Sequence, residues 1–245
     1  MKYLDLSLSA PEENLACDEA LLELCDEGLA DELLRVWESS QYFVVVGYAN
    51  RVGSEVNVPF CRQNGLPILR RCSGGGTVLQ GPGCLSYALI MRIEESGPLG
   101  GISSANRFVL ERQRVILERL LKTPVQIRGH TDLALGRLKF SGNSQRRKRR
   151  ALVFHGTFLL QFDLALIERA LLMPSREPEY RARRSHSDFL VNLGVPAREV
   201  ALALRGGWQA DAPLSEVPLE RIRKLAREKY ASREWTWRFD TVGAG

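Results

Sequence analysis

The sequence has little of what usually marks a metal or redox site. It holds three histidines and five cysteines (Cys17, Cys25, Cys61, Cys72 and Cys84), without a Cys-x-x-Cys pair. That spacing argues against a zinc ribbon, and the odd number of thiols against a disulfide framework. Beyond Cys84 there is no cysteine at all. No Gly-Lys-Ser/Thr opens a helix and no Gly-x-Gly-x-x-Gly follows a strand, which excludes a Walker loop and a dinucleotide fingerprint. No stretch approaches the ~18 apolar residues of a membrane span. Met1-Lys2-Tyr3-Leu4-Asp5 lacks the apolar core of a signal peptide, so a cytoplasmic protein with no membrane partner is the expectation.

What is present is the composition of a soluble globular protein, with 245 residues, 44% apolar and 26% charged. The length suits one large domain, or a domain with a small appendage. The net charge of +5 has a local origin. Setting aside the run Arg146-Arg147-Lys148-Arg149-Arg150 takes the basic residues from 34 to 29, matching the 29 acidic ones. The basicity is one patch, not a nucleic-acid-binding surface spread over a fold. As a solvated turn the patch needs no partner; as a binding site it serves an acidic one.

Three consecutive glycines stand out in Arg70-Arg71-Cys72-Ser73-Gly74-Gly75-Gly76-Thr77-Val78. Each loses much backbone entropy on folding, so the run destabilises the fold unless some group must come close to the backbone. Apolar runs on both sides read as strands. The glycines therefore form a donor-rich loop between strands, suited to an anionic, flat or elongated ligand; a flexible hairpin loop is the plain alternative.

Along the chain, residues 2–8 read as a strand. Ser9-Ala10-Pro11-Glu12-Glu13 starts a helix running to about Gly28. Leu33–Trp37 and Tyr42–Val46 read as two strands joined by Glu38-Ser39-Ser40-Gln41, and Glu55 to Asn64 as one helix stopped by Gly65. Ser103 to Leu121 is the clearest helix. Val125–Ile127, Thr131–Leu135 and Leu138–Gly142 follow as strands, then a long strand from Ala151 to Phe162 and a helix capped by Asp163. From about Pro196 two helical patterns complete the chain. Strand pairs interrupted by single helices predict an α+β fold with a mixed or antiparallel sheet.

Two further clusters carry chemistry. In Gly129-His130-Thr131-Asp132 with Lys139-Phe140-Ser141-Gly142-Asn143-Ser144-Gln145-Arg146, a lysine beside a close backbone approach can neutralise an acyl-phosphate or a developing oxyanion. Asp132 could hold magnesium or the lysine itself. The third cluster, His155-Gly156-Thr157, places a histidine inside an apolar strand.

Together with Asn14-Leu15-Ala16-Cys17-Asp18-Glu19, these three clusters resemble the lipoate–protein ligase A family in order and spacing, over roughly residues 1–195. The resemblance implies a mixed-sheet catalytic domain of the biotin/lipoate ligase type, with 196–245 as a short helical extension. It implies that lipoate or octanoate reacts with ATP and Mg2+ to give an acyl-adenylate. The acyl group would then pass to a lysine of a lipoyl carrier domain, of the 2-oxoacid dehydrogenase acyltransferase or glycine cleavage H protein type. Lys139 would be catalytic. Arg70, Ser73, Gly74, Gly75, Gly76, Thr77 and Val78 would bind the acyl-adenylate, as would Ser141, Gly142, Arg146, His155, Gly156 and Thr157. Asp132 would serve the nucleotide or the metal.

The sequence departs from the family at three points. Gln80-Gly81 stands where His-Asp is usual, Thr131 where Asn is usual, and the larger ligases' accessory domain is missing, so either a separate accessory subunit assists or the adenylation step is absent. An octanoyl- or lipoyl-transferase that needs no ATP is the alternative on the same fold. Its cysteine-dependent branch carries the nucleophile shortly before the Lys-x-Ser/Ala-Gly motif, where this chain has none. A carrier- or nucleic-acid-binding module without catalysis is the reading from another class. Cys72 and Cys84 read as packing residues, and 177–192 as a segment that closes over the nucleotide or as a loop linking helices.

Overall fold

The longest strands are apolar on both sides, and that pattern sets the layers. In β6 (Cys84–Arg92) Leu85, Tyr87, Leu89 and Met91 enter one core while Ala88 and Ile90 enter another. In β10 (Ala151–Leu159) Leu152, Phe154 and Phe158 oppose Ala151 and Val153 in the same way. Successive strand side chains point to opposite faces, so such runs require helices on both sides of the sheet.

The computed structural model describes residues 1–94 and 96–240. Its main sheet has eight strands in the order β11 (Ala212–Pro213), β1 (Lys2–Asp5), β2 (Leu33–Glu38), β6, β10, β9 (Leu138–Arg147), β8 (Asp132–Leu135) and β7 (Gln126–Arg128). β1 is parallel to both of its neighbours and the other pairs are antiparallel, so the sheet is mixed, as expected. Helices α4 (Ile102–Leu121) and α7 (Ala197–Gly207) cover one face. On the other lie α1 (Pro11–Glu27) and α8 (Leu219–Leu225). No helix among the described residues is long and apolar enough to cross a membrane.

A second sheet of three strands, β4 (Ile68–Arg70), β3 (Phe43–Val46) and β5 (Val78–Gln80), carries the glycine loop between β4 and β5. Its apolar side packs on α2 (Val52–Glu55), α3 (Val58–Gln63) and α5 (Leu164–Ala170). Here the structure corrects the sequence reading. β2 and β3 do not pair with each other: β2 joins β6 in the main sheet and β3 joins β4 and β5 in the small one. The expected single helix over Glu55–Asn64 is two short ones. Asn57 interrupts it, its side chain accepting from the Phe60 amide and capping α3, with Pro59 in the first turn.

The C-terminal residues share the cores of the rest. Val200 and Leu204 of α7 belong to the cluster around β6, and Ile222, Ala226 and Tyr230 to the one beneath α1. Lys229 and Tyr230 both bond the buried Glu19 of α1, at 2.7 and 2.8 Å. A last short helix, α9 (Arg233–Thr236), absent from the sequence reading, sits against β4.

Candidate active site

The two arginines ahead of the glycines do different work. Arg70 is fully buried, and its guanidinium donates to the carbonyls of Gly47, Tyr48, Asn50, Trp235 and Thr236 at 2.6–3.1 Å. It lies behind the loop, with its guanidinium turned to these carbonyls. Arg71 is the one that shapes the loop. It donates to the carbonyls of Gly74 and Gly76, at 2.5 and 2.7 Å, and to Ser73 Oγ at 3.1 Å. Ser144 Oγ also donates to Gly74 O, and Asn50 Nδ2 to Gly75 O. With their carbonyls held by the protein, the amides of Gly74, Gly75 and Gly76 donate to no acceptor among the described residues. Gly75 takes φ = +85°, which few other residues adopt without strain.

The loop comes so close to Gly47 that a Cβ there would collide with the carbonyl of Gly75. Gly47→Ala is therefore expected to push the loop outward, costing about 1–3 kcal/mol of overpacking. Thermal unfolding together with the acyl-transfer rate checks this; a variant as stable and active as the wild type would mean the loop is not held there.

On β9 and β8, Lys139 Nζ pairs with Asp132 Oδ1 at 2.7 Å, and Tyr180 OH donates to Asp132 Oδ2 at 2.8 Å. Burial and the Asp132 charge push the Tyr180 hydroxyl up, so it stays a donor. A register shift between Leu133 and Ala134 sets Lys139 opposite Ala134; such irregularities commonly re-aim a side chain. Gly142 makes room for the lysine, because a Cβ there would stand 2.9 Å from Nζ. Each Asp132 oxygen thus accepts one hydrogen bond, Oδ1 from Lys139 and Oδ2 from Tyr180. Among the described residues no three His, Cys, Asp or Glu side chains gather as ligands.

On the neighbouring strand β10, His155 Nε2 lies 2.6 Å from Ser73 Oγ and its Nδ1 3.1 Å from Asp18 Oδ2 of α1. Asp18 Oδ1 meets Arg35 Nη1 at 2.7 Å. Burial acts to raise the Asp18 carboxyl, but Arg35 and His155 overcome it and hold the group below the usual carboxylate range.

These parts surround one cavity of about 610 Å³. Of the residues predicted from sequence, Lys139, Gly75, Gly76, Thr77, Val78, Asp132, Ser141, Gly142, His155, Gly156 and Thr157 line it. Arg70, Ser73, Gly74 and Arg146 do not, although Ser73 is bonded to a lining residue. Arg146 is exposed and stacks over Tyr48 at 5.7 Å. The 177–192 segment supplies wall residues from Glu177 to Leu190. Trp37 Nε1, Thr77 Oγ1, Gln80 Oε1 and Ser86 Oγ, on residues of the same wall, are buried without partners among the described residues, the condition of polar groups awaiting a ligand or ordered water. Sequence reasoning assigned no role to Asp18, Arg71 or Tyr180. A buried acid within an apolar helix was the available signal for Asp18. Nothing local pointed to Tyr180.

All five cysteines are buried and free. Burial pushes the thiols of Cys17 to about 11 and of Cys72 and Cys84 to about 12, so none is an activated nucleophile.

A mixed sheet presenting a glycine loop and a paired lysine to one cavity is an arrangement suited to an enzyme that handles carboxylic acyl groups. The chain belongs to the lipoyl protein ligase A/B family, whose catalytic-domain model matches residues 10–197. It is 26% identical to an octanoyltransferase LipM of Lysinibacillus sphaericus, over 96% of this chain and 98% of that one. It is 24% identical to lipoate-protein ligase A subunit 1 of Thermoplasma acidophilum, over 91% and 90%. In structure it superposes with TM-score 0.82 on the bi-partite lipoate protein ligase of T. acidophilum, at 22% identity over 97% and 96% of the two chains. With a lipoate-protein ligase A bound with ATP the TM-score is 0.80, at 24% identity over 97% and 98%. At these identities the structural likeness establishes the fold.

Proposed function

We propose that this enzyme transfers an octanoyl or lipoyl group from an acylated donor to a lysine of a lipoyl carrier domain, without ATP. The observation that carries the reading is Lys139, fixed by Asp132 on the cavity wall that also holds the glycine loop. Matches to octanoyltransferases over nearly their whole length support the choice of donor.

Acyl transfer between a thioester and an amine is limited by the charge that grows on the carbonyl oxygen. A preformed ammonium and backbone amides aimed at that oxygen stabilise it without reorganising. Lys139 supplies the ammonium and the Gly75 and Gly76 amides the dipoles. Asp132 and Tyr180 hold the ammonium in place, and the apolar wall made by Leu15, Val45, Val78 and Leu79 takes the acyl chain. We place this catalytic unit in residues 1–195, with the C-terminal helices bracing it.

The second reading is ATP-dependent ligation through an acyl-adenylate, with a separate accessory subunit. It is favoured by the absence of any reactive thiol and by the unengaged loop amides, which with Lys139 would hold a phosphate. Octanoyl-coenzyme A, or octanoate with ATP and Mg2+, is incubated with an apo-carrier and the carrier mass followed. Gain from the thioester alone is the expected outcome; gain from octanoate and ATP alone would replace this reading with the second.

The basic hairpin is partly spent within the molecule. Lys148 pairs with Glu23 at 2.9 Å, and Arg147 donates to the carbonyls of Leu99 and Gly100. Arg149 and Arg150 remain exposed to meet an acidic carrier. Replacing both by serine is expected to raise the KM for the carrier severalfold at low salt and little at high salt, with kcat unchanged. An unaltered low-salt KM would remove the hairpin from carrier recognition.

A further inference from the structure

Ser73, His155 and Asp18 come from a loop, a strand and a helix distant in sequence, and they meet within hydrogen-bond distance. Arg71 Nε can only donate, so Ser73 Oγ accepts from it at 3.1 Å. The serine's one proton is then free for His155 Nε2 at 2.6 Å. In the tautomer whose Nε2 accepts this proton, the ring N–H is on Nδ1 and faces Asp18 Oδ2, 3.1 Å away. Arg35, fully buried and 2.7 Å from Asp18, keeps that carboxylate charged. A hydroxyl whose proton a histidine can take, backed by a carboxylate that favours the imidazolium, is an activated nucleophile whatever fold carries it. Beside it lie three glycine amides with no acceptor among the described residues.

Building on the transferase reading, we propose that Ser73 is the covalent acyl carrier of this enzyme, taking the place of the thiol that the chain lacks. In the first half-reaction Ser73 Oγ attacks the thioester carbonyl. The C–O bond forms, the C–S bond breaks, and the serine proton passes to His155 Nε2 and on to the departing thiolate. In the second half the neutral amine of the carrier lysine attacks the ester carbonyl. The C–N bond forms, the C–O bond breaks, and the proton lost by the amine returns through His155 to Ser73 Oγ. No oxidant or nucleotide is consumed. Asp18 and Arg35 are positioning residues, acting through the histidine. Ser73 is only 1% exposed, behind a wall formed by His155, Gly75 and Gly76. Acylation therefore requires the glycine loop to shift off its bonds to Arg71, Ser144 and Asn50, and the burial then shields the ester from water.

The test uses the full chain with octanoyl-coenzyme A, no ATP and no acceptor, followed by intact mass and peptide mapping. One octanoyl mass is expected on the peptide containing Ser73, stable to neutral hydroxylamine because it is an oxygen ester. This separates it from thioesters on Cys72 or Cys84, which lie on the same tryptic peptide. Ser73→Ala should lose the adduct and, with carrier added, about 10³-fold in transfer rate. Ser73→Cys, which preserves the packing, should carry an adduct that neutral hydroxylamine removes. Asp18→Asn should keep the adduct site while shifting the pH profile of acylation, which a purely structural Asp18 would not do. Undiminished thioester-driven transfer in Ser73→Ala, or a wild-type adduct on cysteine, would overturn the proposal and leave the transferase reading standing. Transfer in the wild type that requires ATP would overturn both. Near-ultraviolet circular dichroism of each variant separates loss of the nucleophile from loss of the fold.

Discussion

Lys139→Ala is expected to lower acyl transfer to the carrier by about 10²–10³-fold in kcat, the usual cost of removing one electrostatic donor at a developing oxyanion. The fold should barely notice. The Lys139–Asp132 pair is partly exposed, with side-chain accessibilities of 23% and 12%, and such pairs contribute at most about 1 kcal/mol. Tyr180 continues to hold Asp132 in the variant. Lys139→Arg should not rescue, because the Nζ already lies where a Cβ on Gly142 would nearly touch it and a planar guanidinium is wider. Asp132→Asn should fall between, since the ammonium persists but is less firmly held. Carrier mass gain against time, with unfolding curves for each variant, checks the set. Full activity in Lys139→Ala would take the lysine out of the chemistry.

Arg70→Leu is expected to have the largest effect on stability, about 3–5 kcal/mol, the range for removing one partner from a buried charged network. Five carbonyls each lose the guanidinium as a donor, and only that of Gly47 keeps another, the Asn50 amide, among the described residues. Asp240, which accepts from the amides of Val52 and Gly53, loses the cation 3.9 Å away. At roughly 2–4 °C per kcal/mol for a chain of this size, the melting temperature should drop on the order of 10 °C. Arg70→Lys should recover little, because one ammonium cannot span carbonyls on both sides of its plane. Since Arg70 ties the segment after β3 to α9, proteolysis near Trp235 should increase in step. A variant melting within a degree or two of the wild type would mean that the carbonyls find water.

How much of this was legible follows from the range of each signal. The helices α1 and α4 and the long strand β10 announce themselves through composition and capping over many residues, and they form where expected. The glycine loop was legible as a close approach. What it approaches, the backbone of Gly47 on one side and Ser144 on the other, was not. β2 and β3 were seen as strands yet assigned to one another, because local patterning gives a strand's faces and not its partner. Arg70 and Arg71, adjacent and identical, could not be told apart. One points into the carbonyls of the C-terminal segment and the other into the loop, a difference that alternation along a strand creates and only the neighbours make meaningful.

The amino-acid sequence alone determined the α+β class, the lysine that faces the cavity and the family, since each rests on residues near one another or on fixed spacings. Only the tertiary structure decided that Ser73, His155 and Asp18 form one hydrogen-bonded cluster and that Tyr180 steadies Asp132. Those contacts join residues 48 to 137 positions apart, and side-chain chemistry at that range is set by sheet register and by helix docking, which no local stretch of sequence encodes.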